Sequence, residues 1–314
     1  MRTSMTDRLM KTSLQSRTNT TARRFAAIVA IGFAISSGAH AQNIVSDIGA
    51  SERINVAGQL STLSQRIIGS ACNLNSGVTV RESQAVLQIS ADQFSRIYDA
   101  LLYGNRSFGI LGEETRARTL RVIEELDAAW TPLLETARAT PVNADENDRI
   151  KSLAEQSDPL LETANILIAE ITGQYADPVS LLQADALLID LAGRQRMLAA
   201  RMSKDVCLIA SDITVDAAKN DLAESNLLFG DTLTALRNGM PSVGVRPPPT
   251  EQIADGLQFV VEEWNAIQPF LARAAAGEYL DEAERQRVYF AFLGIESRMN
   301  NVVTAYDKNS KLDL

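Results

Sequence analysis

Residues 54–72 read INVAGQLSTLSQRIIGSAC, and residues 189–207 read IDLAGRQRMLAARMSKDVC. The two stretches align without a gap at an offset of 135, with Ile54/Ile189, Ala57/Ala192, Gly58/Gly193, Leu63/Leu198, Arg66/Arg201 and Cys72/Cys207 coinciding. An internal repeat of this length restricts the chain to folds in which one unit is built twice. The repetition continues past the motif. Phe94/Phe229, Leu101/Leu236 and Gly104/Gly239 keep the same offset. Trp130/Trp264 falls one residue short, and Asp145-Glu146/Asp281-Glu282 and Asn165/Asn301 fall one residue long. Such drifts imply short insertions in loops, where they are tolerated.

Each unit reads as helical. Ala, Leu, Glu, Arg and Gln abound, aromatics make up 5% of the chain, and no convincing alternating strand is visible. Breaks at 75–77, 104–112, 141–143, 173–178, 211–214, 239–249 and 277–279 separate eight segments. The helices are expected over 46–74, 80–103, 113–139 and 145–172, then over 178–210, 215–238, 250–275 and 281–306. Pro132, Pro159 and Pro269 fall inside segments, where each should kink its helix or mark a new start. The expected fold is all-α: two tandem four-helix bundles, at 42–174 and 175–314, related by a pseudo-two-fold.

Residues 1–41 read as an export signal. Arg17, Arg23 and Arg24 precede an apolar run over 25–35, and Ala39-His40-Ala41 supplies a small-x-small cleavage site. Cleavage would remove six of 30 basic residues and one of 39 acidic ones, leaving a formal charge of −14. That balance argues against nucleic acid and anionic membrane surfaces as partners. No later segment is apolar enough to insert in a membrane, so a periplasmic or secreted protein is expected.

The single histidine, His40, lies inside the signal. The mature chain therefore excludes Ser-His-Asp and Cys-His catalysis and histidine metal ligation. No enzyme activity, cofactor or metal is expected. The two cysteines, in an oxidising compartment, favour a Cys72–Cys207 disulfide over two buried thiols.

On a helix, positions 54, 58, 61, 65, 68 and 72 form one stripe, and 189, 193, 196, 200, 203 and 207 form its counterpart. Both stripes are small and polar, suited to close approach of a second helix. The neighbouring stripe of Ala57, Leu60, Ser64, Ile67, Ala71 and Leu74 suits each unit's own core. If the two units pack about a pseudo-two-fold parallel to these helices, Cys72 meets Cys207 and Ser61 faces Arg196. The plainer readings are close helix packing for Gly58 and Gly193, and a solvated or ion-paired Arg196. Trp130 and Trp264 suit bundle cores, and the acidic runs at 145–148 and 281–284 suit helix starts.

Both stretches resemble the sensory domain shared by type IV pilus chemotaxis transducers and nitrate/nitrite sensor kinases (PilJ/NarX-type). The signature is an I-N-x-A-G-x-x-R-M-x-S-x-R-like first helix. Residues 189–202, IDLAGRQRMLAARM, carry it well, and residues 54–67, INVAGQLSTLSQRI, carry I-N-x-A-G and S-Q-R. The resemblance implies a four-helix bundle per copy, and a small anion gripped between the first helices by an arginine from each. Arg196 holds that arginine position in the second copy, and Ser61 replaces it in the first. A charge-assisted hydrogen bond contributes roughly 1.5–3 kcal/mol, so the missing arginine lowers anion affinity by roughly tenfold to a hundredfold. The candidate ligand-binding set is Arg196, Ser61, Gly58 and Gly193. Arg66 and Arg201 lie on a different face and suit bracing of neighbouring helices. The resulting expectation is a periplasmic ligand-binding protein acting through a membrane receptor, sensor kinase or transporter. The alternatives are a ligand-free helical scaffold and, weakest, an enzyme.

Overall fold

The computed structural model describes residues 50–142, 144, 146–175 and 183–312. The expected signal at 1–41 and the turn around Asp177-Pro178 lie outside the described residues. Eight α-helices run in chain order. They are α1 (Ala50–Asn75), α2 (Val80–Tyr103), α3 (Ala117–Arg138), α4 (Asn147–Tyr175), α5 (Gln183–Ala210), α6 (Val215–Asn238), α7 (Glu251–Ala276) and α8 (Glu282–Leu312). No strand occurs among the described residues. The α2–α3 and α6–α7 connections each carry a single 3-10 turn, clasped by one isolated bridge, Asn105 to Ile110 and Met240 to Val245.

The helices form where apolar residues recur every three or four positions. In α2 the buried face is Leu87, Ala91, Phe94, Ile97 and Leu101. Phe94 stacks on Trp130 of α3 at 3.7 Å between ring centroids, and Phe229 meets Trp264 of α7 at 5.7 Å. Burying one such side chain contributes about 1.5–3 kcal/mol. Helices α1–α4 enclose one buried apolar cluster and α5–α8 a second. The first cluster also takes in Cys207, Leu208, Ile213 and Ala218 from the second half.

The loops repeat as faithfully as the helices. Thr79 and Thr214 open α2 and α6 with left-handed backbones, φ 44° and 45°. Gly104 closes α2 at φ 79°, where its N–H donates to the Ala100 carbonyl, and a Cβ there would lie 2.5 Å from the Gly112 carbonyl oxygen. At the start of α8, the Asp281 N–H donates to Glu284 and the Glu284 N–H to Asp281, both at 2.9 Å. This reciprocal cap explains the acidic run there.

Pro132, Pro159 and Pro269 start no new helices. α3, α4 and α7 each continue through their proline. All three prolines are exposed. On the solvent face the carbonyl that loses its donor can be served by water, so the cost is tolerated.

Helices α1 and α5 lie at the centre. α1 packs on α2, α4 and α5, and α5 packs on α6, α8 and α1. Equivalent residues meet across the α1–α5 contact. Cys72 and Cys207 form a disulfide, with Cα atoms 6.2 Å apart. A Cβ at Gly69 would lie 3.2 Å from the Cα of Lys204, its counterpart at the 135 offset. This is the contact pattern of a pseudo-two-fold axis.

The expected small-polar stripe is divided between two neighbours. Gly58 and Cys72 face α5. Ser61 and Gln65 turn instead to α4, where the Ser61 hydroxyl donates to Asn165 Oδ1 (2.7 Å) and Gln65 Oε1 accepts from Ser157 (3.1 Å). A heptad stripe drifts around a straight helix of 3.6 residues per turn, and the two buried polar side chains find partners inside their own bundle. Arg66 and Gly69 reach the second half in their place.

Candidate functional site

A cavity of about 300 Å³ opens where α1, α2, α5 and α8 converge. Two guanidinium groups line it, one from each repeat: Arg66 and Arg196. The Arg196 guanidinium lies beside two glycines. A Cβ at Gly58 would lie 3.8 Å from Arg196 Nη2, and one at Gly193 would lie 3.5 Å from it. The two glycines are counterparts in the repeat, so the guanidinium lies beside both partners of one equivalent pair. Any branched side chain at either position would compete for that space.

Arg196 is only 4% exposed. Its Nη1 donates to Asn300 Oδ1 at 2.7 Å, and its Nε makes a long contact of 3.5 Å to the Gly193 carbonyl. The principal partner is thus a neutral amide. Burial lowers the guanidinium pKa to about 10, with the neighbouring Arg66 adding to the effect and Glu296 opposing it. At neutral pH the group stays charged.

Arg66 is held by Glu296 of α8. Its Nε and Nη2 lie 2.6 and 2.5 Å from one carboxylate oxygen. Glu296 is 2% exposed, and burial raises its carboxyl pKa while Arg66 and Arg196 pull it back. Thr62 and Ser90 also line the cavity, and their buried hydroxyls have no hydrogen-bond partner among the described residues. Two cations against one carboxylate leave the site with one net positive charge. Free hydroxyls beside it add hydrogen-bonding capacity. The arrangement suits a small anion or ordered water.

Arg196 lines the cavity; Gly58 and Gly193 make room for its guanidinium. Ser61, expected opposite Arg196, is not part of the cavity lining, because its hydroxyl is committed to Asn165. The equivalent bond in the second half is Arg196 to Asn300, which makes Asn300, rather than Asn301, the counterpart of Asn165. Helix starts at Asn147 and Glu282 preserve the 135 offset in α4 and α8 and explain this register.

Sequence reading missed Arg66, Glu296 and Asn300 as members of the site. Arg66 was visible as a coinciding arginine, and it does brace a neighbouring helix, through Glu296. Its partner lies 230 residues away, so no local pattern joins the two. Arg201, its counterpart, pairs with Asp221 at 2.9 Å and with Asp158 at 3.9 Å. Among the described residues, no group of three or more His, Cys, Asp or Glu side chains is arranged to hold a metal ion.

Two segments of the chain, residues 46–156 and 179–286, match the family model described as type IV pili methyl-accepting chemotaxis transducer N-term, PilJ. Together they cover more than half of the chain. No curated protein matches it.

Proposed function

The chain belongs to the PilJ family of type IV pili methyl-accepting chemotaxis transducer N-terminal domains, and from that premise we propose that it is a periplasmic sensory protein that binds a small oxyanion between its two repeats. The reading divides the chain into an export signal at 1–41 and two sensor-type modules at 42–174 and 175–314.

The observation that carries the proposal is the buried Arg196 guanidinium, held by a neutral amide and bordering a cavity with net positive charge. Arg196 supplies the primary charge-assisted hydrogen bond, and Gly58 and Gly193 leave the room it needs. Arg66 takes the part of the second arginine from a position five residues farther along α1 than Ser61. A nitrate- or nitrite-like anion, accompanied by water, accepts from both guanidinium groups and from Thr62 and Ser90. Binding competes with Glu296 for Arg66 and so loosens α8 from α1. The signal leaves through a docked membrane receptor, sensor kinase or transporter. No catalytic role is proposed.

Calorimetry of the protein against nitrate, nitrite and chloride tests this reading. Saturable binding of an oxyanion is expected, weakened roughly tenfold to a hundredfold in Arg196→Ala. No heat with any anion, or unchanged binding in that variant, would sink the assignment.

A second reading rests on the Arg66–Glu296 pair, which joins the halves without any ligand. It describes a helical scaffold whose surface docks a protein. A pulldown that retained the same partner with and without nitrate would favour it.

A further inference from the structure

The α1–α5 contact has two flanks, exchanged by the pseudo-two-fold. On the first, α8 closes over α1 and α2, beside Arg66 and Arg196. On the second, α4 closes over α5 and α6. Strict duplication would make the flanks alike, and they differ in the ion pairs already described and in one further contact. On the first flank the Tyr289 hydroxyl of α8 meets the Ser70 hydroxyl of α1 at 3.3 Å. Their counterparts at the 135 offset are Ala154 and Asp205. An alanine takes the tyrosine's place, and a carboxylate the hydroxyl's. Ala154 and Asp205 now line a cavity of about 150 Å³.

Asp205 is 0% exposed. Lys204 Nζ lies 3.0 Å from its Oδ1, and Oδ2 has no hydrogen-bond partner among the described residues. A buried carboxylate oxygen without a donor is costly, and a ligand that donates to it recovers that cost. The cavity is also lined by Glu155 and Asp158 of α4 and Asp221 of α6. Against these four acids stand Lys204 and Arg201, the latter paired with Asp221 and Asp158. The surroundings are therefore net negative, opposite in sign to the first flank. The acids are not arranged as a metal cage. The remaining wall is small and mostly apolar, from Ala154, Leu208, Ala217 and Ala218 with Thr214.

We propose that this second cavity binds a small primary ammonium ion with a short alkyl stem, its N–H groups donating to Asp205 Oδ2 and its stem lying against Ala154 and Leu208. An ammonium head supplies the missing donors and the compensating charge together. The site is separate from the anion site and does not depend on it.

The test is calorimetry of the full chain with propylammonium chloride at pH 7.5, referenced to sodium chloride. Saturable binding above the sodium reference is expected. It should weaken at least roughly tenfold in Asp205→Asn, which removes the charge. It should be lost in Ala154→Tyr, which rebuilds on this flank the ring that Tyr289 supplies on the other. Arg196→Ala should retain it. Thermal melts establish that each variant is folded. If Asp205→Asn does not fold, the Ala154→Tyr comparison alone decides. Heat indistinguishable from sodium chloride, or full binding in Ala154→Tyr, would overturn the proposal and leave water as the occupant.

Discussion

Arg66 of α1 holds Glu296 of α8 through two nitrogens, at 2.6 and 2.5 Å from the same carboxylate oxygen. The pair joins the repeats beside the cavity, and its acid is almost fully buried. Removing one member of a buried pair leaves a charge without compensation. Arg66→Ala should therefore destabilise the protein by about 3 kcal/mol in urea denaturation. A loss below about 1 kcal/mol would reduce the pair to the standing of a surface ion pair.

Gly69 and Gly193 should respond oppositely to alanine. At Gly69 the new Cβ would lie 3.2 Å from the backbone of Lys204, which cannot rotate away. A cost of about 1–3 kcal/mol is expected from overpacking. At Gly193 the new Cβ would lie 3.5 Å from the tip of Arg196, an ordinary contact. There the gain in helix propensity, about 0.5–1 kcal/mol, should leave the variant unchanged or more stable. Parallel thermal melts compare the two; equal effects would contradict the packing described for α1 and α5.

The disulfide spans 135 residues of chain and links the two central helices. Closing a loop of that length restricts the unfolded chain strongly, and a contribution of about 2–4 kcal/mol is expected. Cys72→Ser with Cys207→Ser should lower the denaturation midpoint accordingly. Cys72 and Cys207 are both buried, so reductant should act slowly on the folded protein and quickly after partial unfolding. Rapid thiol labelling under native reducing conditions would count against that burial.

Asp205 should titrate near pH 6, raised chiefly by burial and partly restrained by Lys204. The folded state then holds this proton more tightly than the unfolded chain, whose aspartate titrates near 4. Stability from this group is complete below about pH 4 and falls as pH rises through about 6. Carboxyl-carbon NMR of Asp205 reads the midpoint directly. A value at or below the ordinary aspartate range would show that the carboxylate is better solvated than its position implies.

Much of the architecture was legible because it is periodic. The repeat fixed the number of helices, and the loop residues set most boundaries within a few positions. The Cys72–Cys207 pairing followed from the offset once the two halves were taken to face each other. Of the two roles open to the prolines, a new helix start is excluded, since Pro132, Pro159 and Pro269 sit inside continuous helices on faces where water can replace a lost donor. The site was only half legible. Arg196 stood out against Ser61 by comparison of the copies, and Gly58 and Gly193 by their smallness. Ser61 and Gln65 went elsewhere because Asn165 and Ser157 offered partners that a one-helix projection does not contain. Glu296 and Asn300 entered from α8, whose rotation about its own axis is decided by packing alone.

The junction of α1 with α5 has a genetic consequence. In a dimer of identical chains, every substitution at the contact appears twice, and a residue useful on one side must be tolerable on the other. Here each side is encoded separately. One copy carries Arg196 where the other carries Ser61, and one carries Tyr289 where the other carries Ala154. Because both sides lie on one polypeptide, their encounter is intramolecular and does not weaken as the protein is diluted. Duplication thus freed each half of the contact to specialise without loosening the assembly.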